Sequence, residues 1–260
     1  MTAGAVLLLG HGSPDAAGQH ELLELGDLVG WRLGCQVGIG VLEFSTPELP
    51  GLDGAFAELR GRGPVAAQPL VLFEGLHGRY DLPVAAARAA SLLGLDIRLG
   101  EPLGRDPRLT ELVTNRLLGL TPAKSDLLLF VGRGSSEPMA LEQTREVAEL
   151  VSGRAGTGCV VCYTGISQPD LATGMRAALE HRPGRVLALP YLLHTGVLVR
   201  RVREVLLPIA EREGVDLVVL PHIGNDTAVV ELVASRLEQL TAEPSLEALP
   251  PPAGGGRWGV

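Results

Sequence analysis

Three side chains in the first half of the chain have the types and placement to do chemistry together: His11, Glu43 and His77. Each lies at or just beyond the end of a short apolar run that reads as a β-strand. In an open parallel sheet, strand ends of that kind converge on one edge, where ligands bind. Two imidazoles and a carboxylate suit a divalent first-row metal ion, and neutral imidazole also accepts a proton near pH 7. Singly, each has a plainer explanation. His11 is also a turn residue between Gly10 and Gly12, Glu43 a solvated strand-end charge, and His77 a loop residue before Gly78. Three such residues at equivalent strand ends favour a site over three separate accidents.

The elements that must position them come from an internal repeat. The opening run Ala5 to Gly10, followed by His11-Gly12-Ser13, returns about 120 residues later as Leu127 to Gly132, followed by Arg133-Gly134-Ser135-Ser136. Val41 to Pro47 returns as Tyr163 to Pro169, with Glu43 opposite Gly165. Pro69 to His77 returns as Pro190 to Leu198, and Gly104-Arg105-Asp106 as Gly224-Asn225-Asp226. Strands are predicted near 4–10, 36–43, 65–72 and 95–99, with helices near 15–33, 51–61, 80–93 and 107–119. The second copy gives strands near 126–131, 158–164, 185–191 and 215–220, again with helices between and after.

Short strands that are apolar on both faces and alternate with helices imply parallel sheets covered on both sides. The expected fold is α/β: two similar Rossmann-like lobes, 1–120 and 124–242, followed by a Pro- and Gly-rich tail, 243–260, expected to be disordered. The second copy has Arg133, Gly165 and Leu198 where the first has His11, Glu43 and His77. The first lobe is therefore expected to carry the metal-handling residues, and the degenerate second one to serve shape and binding. Arg133, between two glycines, would favour an anion, helped by Ser135, Ser136 and the amides of the helix that follows. Arg200 and Arg201 read equally as further anion contacts or as surface charge.

Composition narrows the alternatives. With 46% hydrophobic residues, the 260-residue chain is too apolar for intrinsic disorder. A net charge of −8 and few aromatics argue against nucleic acid as a partner. No apolar run approaches a membrane span, and no secretory signal is apparent. Cys35, Cys159 and Cys162 are too few for a disulfide scaffold, so a reduced, cytoplasmic setting is expected. Cys159 and Cys162 form a C-x-x-C, but their surroundings read as a packed strand. The Gly10-His11-Gly12 turn lacks the third glycine of a dinucleotide fingerprint, and there is no phosphate-loop motif. Ser13 lies in no nucleophile elbow. A lone imidazole, His194, falls near the end of a second-half strand, while His20, His181 and His222 read as surface residues.

Taken in order, the Gly10-His11-Gly12-Ser13 turn, Leu42-Glu43-Phe44, Leu72 to His77 with Asp81-Leu82-Pro83, and the second-half Gly132 to Ser136, Ser167-Gln168-Pro169 and Leu189 to Arg201 resemble the double-length sirohydrochlorin chelatases of cobalamin biosynthesis, part of the type II chelatase superfamily. The resemblance runs from about residue 4 to 240. It implies a tetrapyrrole held in the cleft between two lobes and ATP-independent insertion of Co2+ into sirohydrochlorin. His11 and His77 match the family's metal-handling histidines, and Glu43 its carboxylate. Ser13, Arg133, Ser135 and Ser136 are the expected donors to the substrate's carboxylates. No cofactor is expected beyond the substrate metal, with Co2+ foremost and Fe2+ or Ni2+ as the other ions. The partners are then sirohydrochlorin and a divalent metal ion, the chain being a monomer of pseudo-dimeric lobes. The rival readings are a sirohydrochlorin ferrochelatase serving sirohaem, a two-lobed small-ligand-binding module and an unrelated metal-dependent hydrolase.

Overall fold

The computed structural model describes residues 4–73, 75 and 80–242. The first lobe is built in the order β1 (Ala5–Gly10), α1 (Ala16–Leu33), β2 (Val37–Val41), α2 (Leu52–Ala57), β3 (Val65–Pro69), α3 (Leu82–Leu93), β4 (Ile97–Leu99) and α4 (Pro107–Leu118). The second repeats it as β5 (Asp126–Gly132), α5 (Pro138–Ala155), β6 (Gly158–Tyr163), α6 (Leu171–Glu180), β7 (Arg185–Pro190), α7 (Val197–Glu213), β8 (Asp216–Val219) and α8 (Thr227–Ala242). Two four-stranded sheets result, β2-β1-β3-β4 and β6-β5-β7-β8. Every strand pairing in them is parallel. The chain is thus an α/β protein of two similar lobes. The expected tail, 243–260, lies outside the described residues. Among the described residues no helix is long and apolar enough to cross a membrane.

Alternation along the central strands explains both faces of each sheet. In β1, Leu7 and Leu9 pack with Phe56 of α2 and Leu82 and Ala86 of α3. Val6 and Leu8 point the other way, into a core with Leu22, Leu25 and Val29 of α1 and Val229, Val233 and Leu237 of α8. In β5, Leu127, Leu129 and Val131 pack with α6 and α7 through Met175, Val202 and Leu206. Leu128 and Phe130 enter the same core as Val6 and Leu8, beside Leu109, Val113 and Leu117 of α4 and Val147 and Val151 of α5.

One core therefore runs through both lobes. The last helix of each repeat reaches across it: α8 packs on β3 and β4 of the first sheet, and α4 packs against α5 of the second lobe. Polar contacts repeat this exchange. Arg98 of β4 donates to the Leu240 carbonyl of α8 at 2.9 Å, and Arg236 of α8 to Asp106, the N-cap of α4, at 3.2 Å.

Two local features differ from the sequence reading. Helix α2 stops at Ala57, well short of 61, because the chain then turns through Gly61 and Gly63 at φ of 78° and 85°. The loops after β2 and β6 also differ in length. Each is closed at its base by a parallel bridge, with Val41 N–H donating to the Pro50 carbonyl and Tyr163 N–H to the Pro169 carbonyl. The backbone thus pairs Pro169 with Pro50, not with Pro47, and the first loop (42–50) is three residues longer than the second (164–169).

Candidate functional site

His11 and Glu43 are brought together by the sheet itself. Beyond the ends of β1 and β2 the ladder continues, Leu42 N–H donating to the Gly10 carbonyl at 3.1 Å and Glu43 N–H to the His11 carbonyl at 2.9 Å. Gly12 makes the approach possible. It sits at φ 89°, and a β-carbon there would lie 2.0 Å from the Glu43 carbonyl oxygen. The His11 imidazole stacks on Phe44, with ring centroids 6.5 Å apart and planes at 21°. Glu43 is exposed. The third expected member, His77, lies outside the described residues. Gly75, which is described, lies against the second lobe: a β-carbon on it would lie 3.2 Å from Ser135 Oγ. Among the described residues no group of three His, Cys, Asp or Glu side chains is arranged to hold a metal ion.

The second lobe copies this backbone with different side chains. Thr164 N–H donates to the Gly132 carbonyl at 3.0 Å and Gly165 N–H to the Arg133 carbonyl at 2.8 Å, while Gly134 adopts φ 88°. Arg133 thus stands where His11 does, and Gly165 where Glu43 does. Desolvation lowers the Arg133 pKa, and the Glu43 carboxylate opposes that shift electrostatically, so the two charges act on each other.

The expected hydroxyl donors occupy matching turns. Ser13 Oγ accepts from Asp15 N–H at 3.1 Å, and Ser135 Oγ from Glu137 N–H at 3.0 Å. A hydroxyl that accepts in this way can still donate its own proton. Ser135 is held further by Ser167, whose Oγ accepts from Ser135 N–H at 2.8 Å and donates to the Ser135 carbonyl at 2.9 Å. Ser136 is exposed. As Ser135 faces Gly75, so Ser13 faces Gly196, whose added β-carbon would lie 3.7 Å from Ser13 Oγ.

Sequence reasoning missed a polar cluster joining the lobes. Glu21 of α1 accepts from the Thr195 backbone N–H and lies 2.8 Å from His222 Nε2, with His194 Nδ1 at 3.9 Å. Asn225 Nδ2 donates to the Glu21 carbonyl at 2.7 Å and to Glu24 at 2.9 Å. Desolvation pushes the Glu21 pKa up, but His222, the Thr195 N–H and His194 together outweigh it, and the net shift is downward. Burial lowers His194 to about 4, so its ring is neutral near pH 7. Among the described residues neither ring nitrogen of His194 has a hydrogen-bond partner. His222 is therefore an interlobe contact, not the surface turn residue expected. The only signal for this cluster was that His194 and His222 each follow a second-half strand.

Two further expectations are settled by contacts. The Arg200 guanidinium is committed to Asp15, the N-cap of α1, and holds that carboxylate's pKa below its usual value. Arg201 Nη1 donates to the Thr164 carbonyl at 3.4 Å. Burial pushes the Cys159 and Cys162 thiols up to about 12, as packed strand residues rather than reactive thiolates.

With this geometry in view, comparison with known proteins is informative. A family model described as CbiX matches residues 5–119 and again 127–240. A sirohydrochlorin ferrochelatase of Priestia megaterium is 29% identical over 168 residues, which span 63% of this chain and 62% of that relative, less than two thirds of its length. A sirohydrochlorin cobaltochelatase of the same organism is 25% identical over 244 residues, 90% of this chain and 79% of the relative. The crystal structure of the sirohydrochlorin chelatase SirB from Bacillus subtilis subspecies spizizenii in complex with cobalt has the same fold. It superposes with a TM-score of 0.76 at 21% identity, covering 92% of this chain and 95% of that one. Two successive matches of one family model, coinciding with the two lobes, establish that the chain belongs to the CbiX family.

Proposed function

We propose that the chain is a sirohydrochlorin chelatase that inserts a divalent ion, Co2+ foremost, into sirohydrochlorin without ATP. The observation that carries this reading is the backbone pairing of His11 with Glu43 in the first lobe, with Arg133 held on the equivalent backbone of the second and its charge acting on Glu43. The named relatives support the substrate class. The relative aligned over most of the chain bears the cobalt name, which favours Co2+ over Fe2+. Sirohaem synthesis with Fe2+ is the second reading, favoured by the higher identity of the ferrochelatase relative.

Metallation exchanges two pyrrole N–H protons for one divalent ion. A catalyst must strip water from the ion, accept the protons and hold the ring nitrogens toward the metal. The His11 imidazole and the Glu43 carboxylate are suited to bind the incoming ion. Each can also take a pyrrole proton. By family resemblance His77 completes the set. Arg133 and the hydroxyls of Ser13, Ser135 and Ser136 are suited to the peripheral carboxylates of the substrate, through charge-assisted hydrogen bonds. No resident cofactor is needed, the metal being a substrate.

The test is a visible absorption change on mixing protein, sirohydrochlorin and Co2+ or Fe2+, each alone and in competition. Faster insertion of Co2+ than of Fe2+, abolished by His11→Ala, supports the cobalt reading. Preference for Fe2+ transfers the assignment to sirohaem synthesis. Full activity in both His11→Ala and His77→Ala sinks the site.

A further inference from the structure

The loops that follow β2 and β6 each present one large apolar side chain to solvent, at the position directly after the residue that ends the extended ladder. Phe44 follows Glu43 and is 46% exposed, and Ile166 follows Gly165 and is 80% exposed. A lone exposed apolar residue needs no explanation. Two at repeat-equivalent loop tips, one in each lobe, form a pattern.

The backbone is shaped to make this presentation. Phe44 sits at φ 56°, in the left-handed region that bulky residues rarely adopt. The strain is tolerated at a loop pinned at its base by Val41 and Pro50 and at its start by Glu43 and His11. The ring that this conformation projects stacks on the His11 imidazole. Ile166 is fixed as firmly. Its neighbour Gly165 bonds to the Arg133 carbonyl, and its other neighbour, Ser167, bonds twice to the Ser135 backbone. Ser135 in turn faces Gly75 of the first lobe.

Each apolar tip therefore stands beside a polar group that the proposed reaction uses: Phe44 beside His11 and Glu43, Ile166 beside Arg133 and Ser135. A ligand matching both has broad apolar faces, a central acceptor for a metal and an anionic rim. A planar conjugated tetrapyrrole carrying peripheral carboxylates is such a ligand, and it buries far more apolar surface than an ion or a small metabolite. We propose that Phe44 and Ile166 are a pair of apolar jaws that grip the macrocycle, one from each lobe, holding it over His11 and Glu43. This assignment rests on the chelatase reading and adds to it the residues that select a large flat substrate.

The test is a titration of the full chain with metal-free sirohydrochlorin, followed by absorbance, alongside a separate titration with Co2+ alone. Ile166→Ser and Phe44→Gly are the informative variants. Ile166 is largely exposed, and glycine relieves the left-handed backbone of Phe44, so both should keep the wild-type thermal midpoint or better. Each should weaken sirohydrochlorin binding about tenfold, the effect of losing one buried apolar side chain. Ile166→Ser should leave Co2+ affinity unchanged, and Leu150→Ser, an exposed change on α5, should alter neither. Wild-type sirohydrochlorin affinity in both jaw variants overturns the assignment while leaving the chelatase reading intact. A wild-type chain that neither binds nor metallates sirohydrochlorin overturns that reading, and the jaws with it.

Discussion

The Glu21 carboxylate of the first lobe lies 2.8 Å from His222 Nε2 of the second, and its other oxygen accepts the Thr195 backbone N–H. One half-buried side chain thus ties α1 to the loops after both β7 and β8. Replacing it strands a backbone donor and an imidazole at the interface. Glu21→Ala is expected to lower unfolding free energy by roughly 2–4 kcal/mol, the range for removing one partner of a buried charged network. Glu24→Ala, which removes only an exposed bond to Asn225, should cost within about 0.5 kcal/mol. Urea midpoints of the two variants, compared at constant m-value, check the contrast.

The neighbouring His194 predicts a pH dependence. Burial lowers its folded pKa to about 4, from an ordinary value of 6.5. Between those values the unfolded chain binds a proton that the folded chain does not. Stability must therefore fall as pH drops from about 6.5 to about 4, by at most about 1.4 kcal/mol per pH unit. Below that window the depressed carboxylates take over. Glu21 and Asp106 have folded pKa values under their usual 4.5 and 3.8, so their contribution is present above those values and lost as acid protonates them. Phe73 occupies the repeat-equivalent position, so His194→Phe is the natural probe. Its stability should be nearly flat between pH 6.5 and 4.5, as read by thermal melts across that range, and an unchanged slope would remove His194 from the account.

What could be read from the sequence, and what could not, divides along physical lines. Apolar runs such as Leu7 to Leu9 and Leu127 to Val131 declare strands locally, and their repetition declares two lobes. The ladder that joins His11 to Glu43 follows from strand ends meeting in one sheet. Hydrophobic periodicity says that a face is buried but not what covers it. Nothing in the pattern of α8 reveals that this second-lobe helix packs on β3 and β4 of the first sheet. Nor does it reveal that Glu21 meets His222, a contact between distant segments through groups that are ordinary surface residues in isolation. The exposure of Phe44 was equally hidden, since aromatic residues at strand ends are more often buried.

Gly12 sets the distance between the two candidate metal-handling residues. An alanine there would need φ 89°, and its β-carbon would sit 2.0 Å from the Glu43 carbonyl oxygen, so one of the two loops must move. Gly134→Ala meets Ser167 instead, its Oγ at 2.9 Å, Cβ at 3.2 Å and backbone N at 3.3 Å, a far looser approach than 2.0 Å to a carbonyl, on top of the strain of φ 88°. The backbone strain alone is worth about 1–2 kcal/mol at either site. Gly12→Ala is therefore expected to be the more destabilised variant and to lose at least about tenfold in metal insertion. Gly134→Ala should melt lower than wild type but retain most of the insertion rate. Thermal midpoints and single-turnover absorbance traces on both proteins decide it.

The asymmetry of the repeat can be tested by trying to erase it. Arg133→His with Gly165→Glu would give the second lobe the same two residues as the first. The backbone does not accept them equally, because a β-carbon on Gly165 would lie 2.5 Å from the Arg133 carbonyl oxygen. In the first lobe Glu43 carries a side chain at this position, on a loop three residues longer. The double variant should accordingly melt lower than wild type and bind no additional Co2+ by calorimetric titration. Arg133→His alone should fold normally and raise the KM for sirohydrochlorin by about tenfold or more with kcat little changed, as loss of a uniform binding contact does. A second equivalent of bound Co2+ in the double variant would show that side-chain identity, not loop length, confines metal handling to the first lobe.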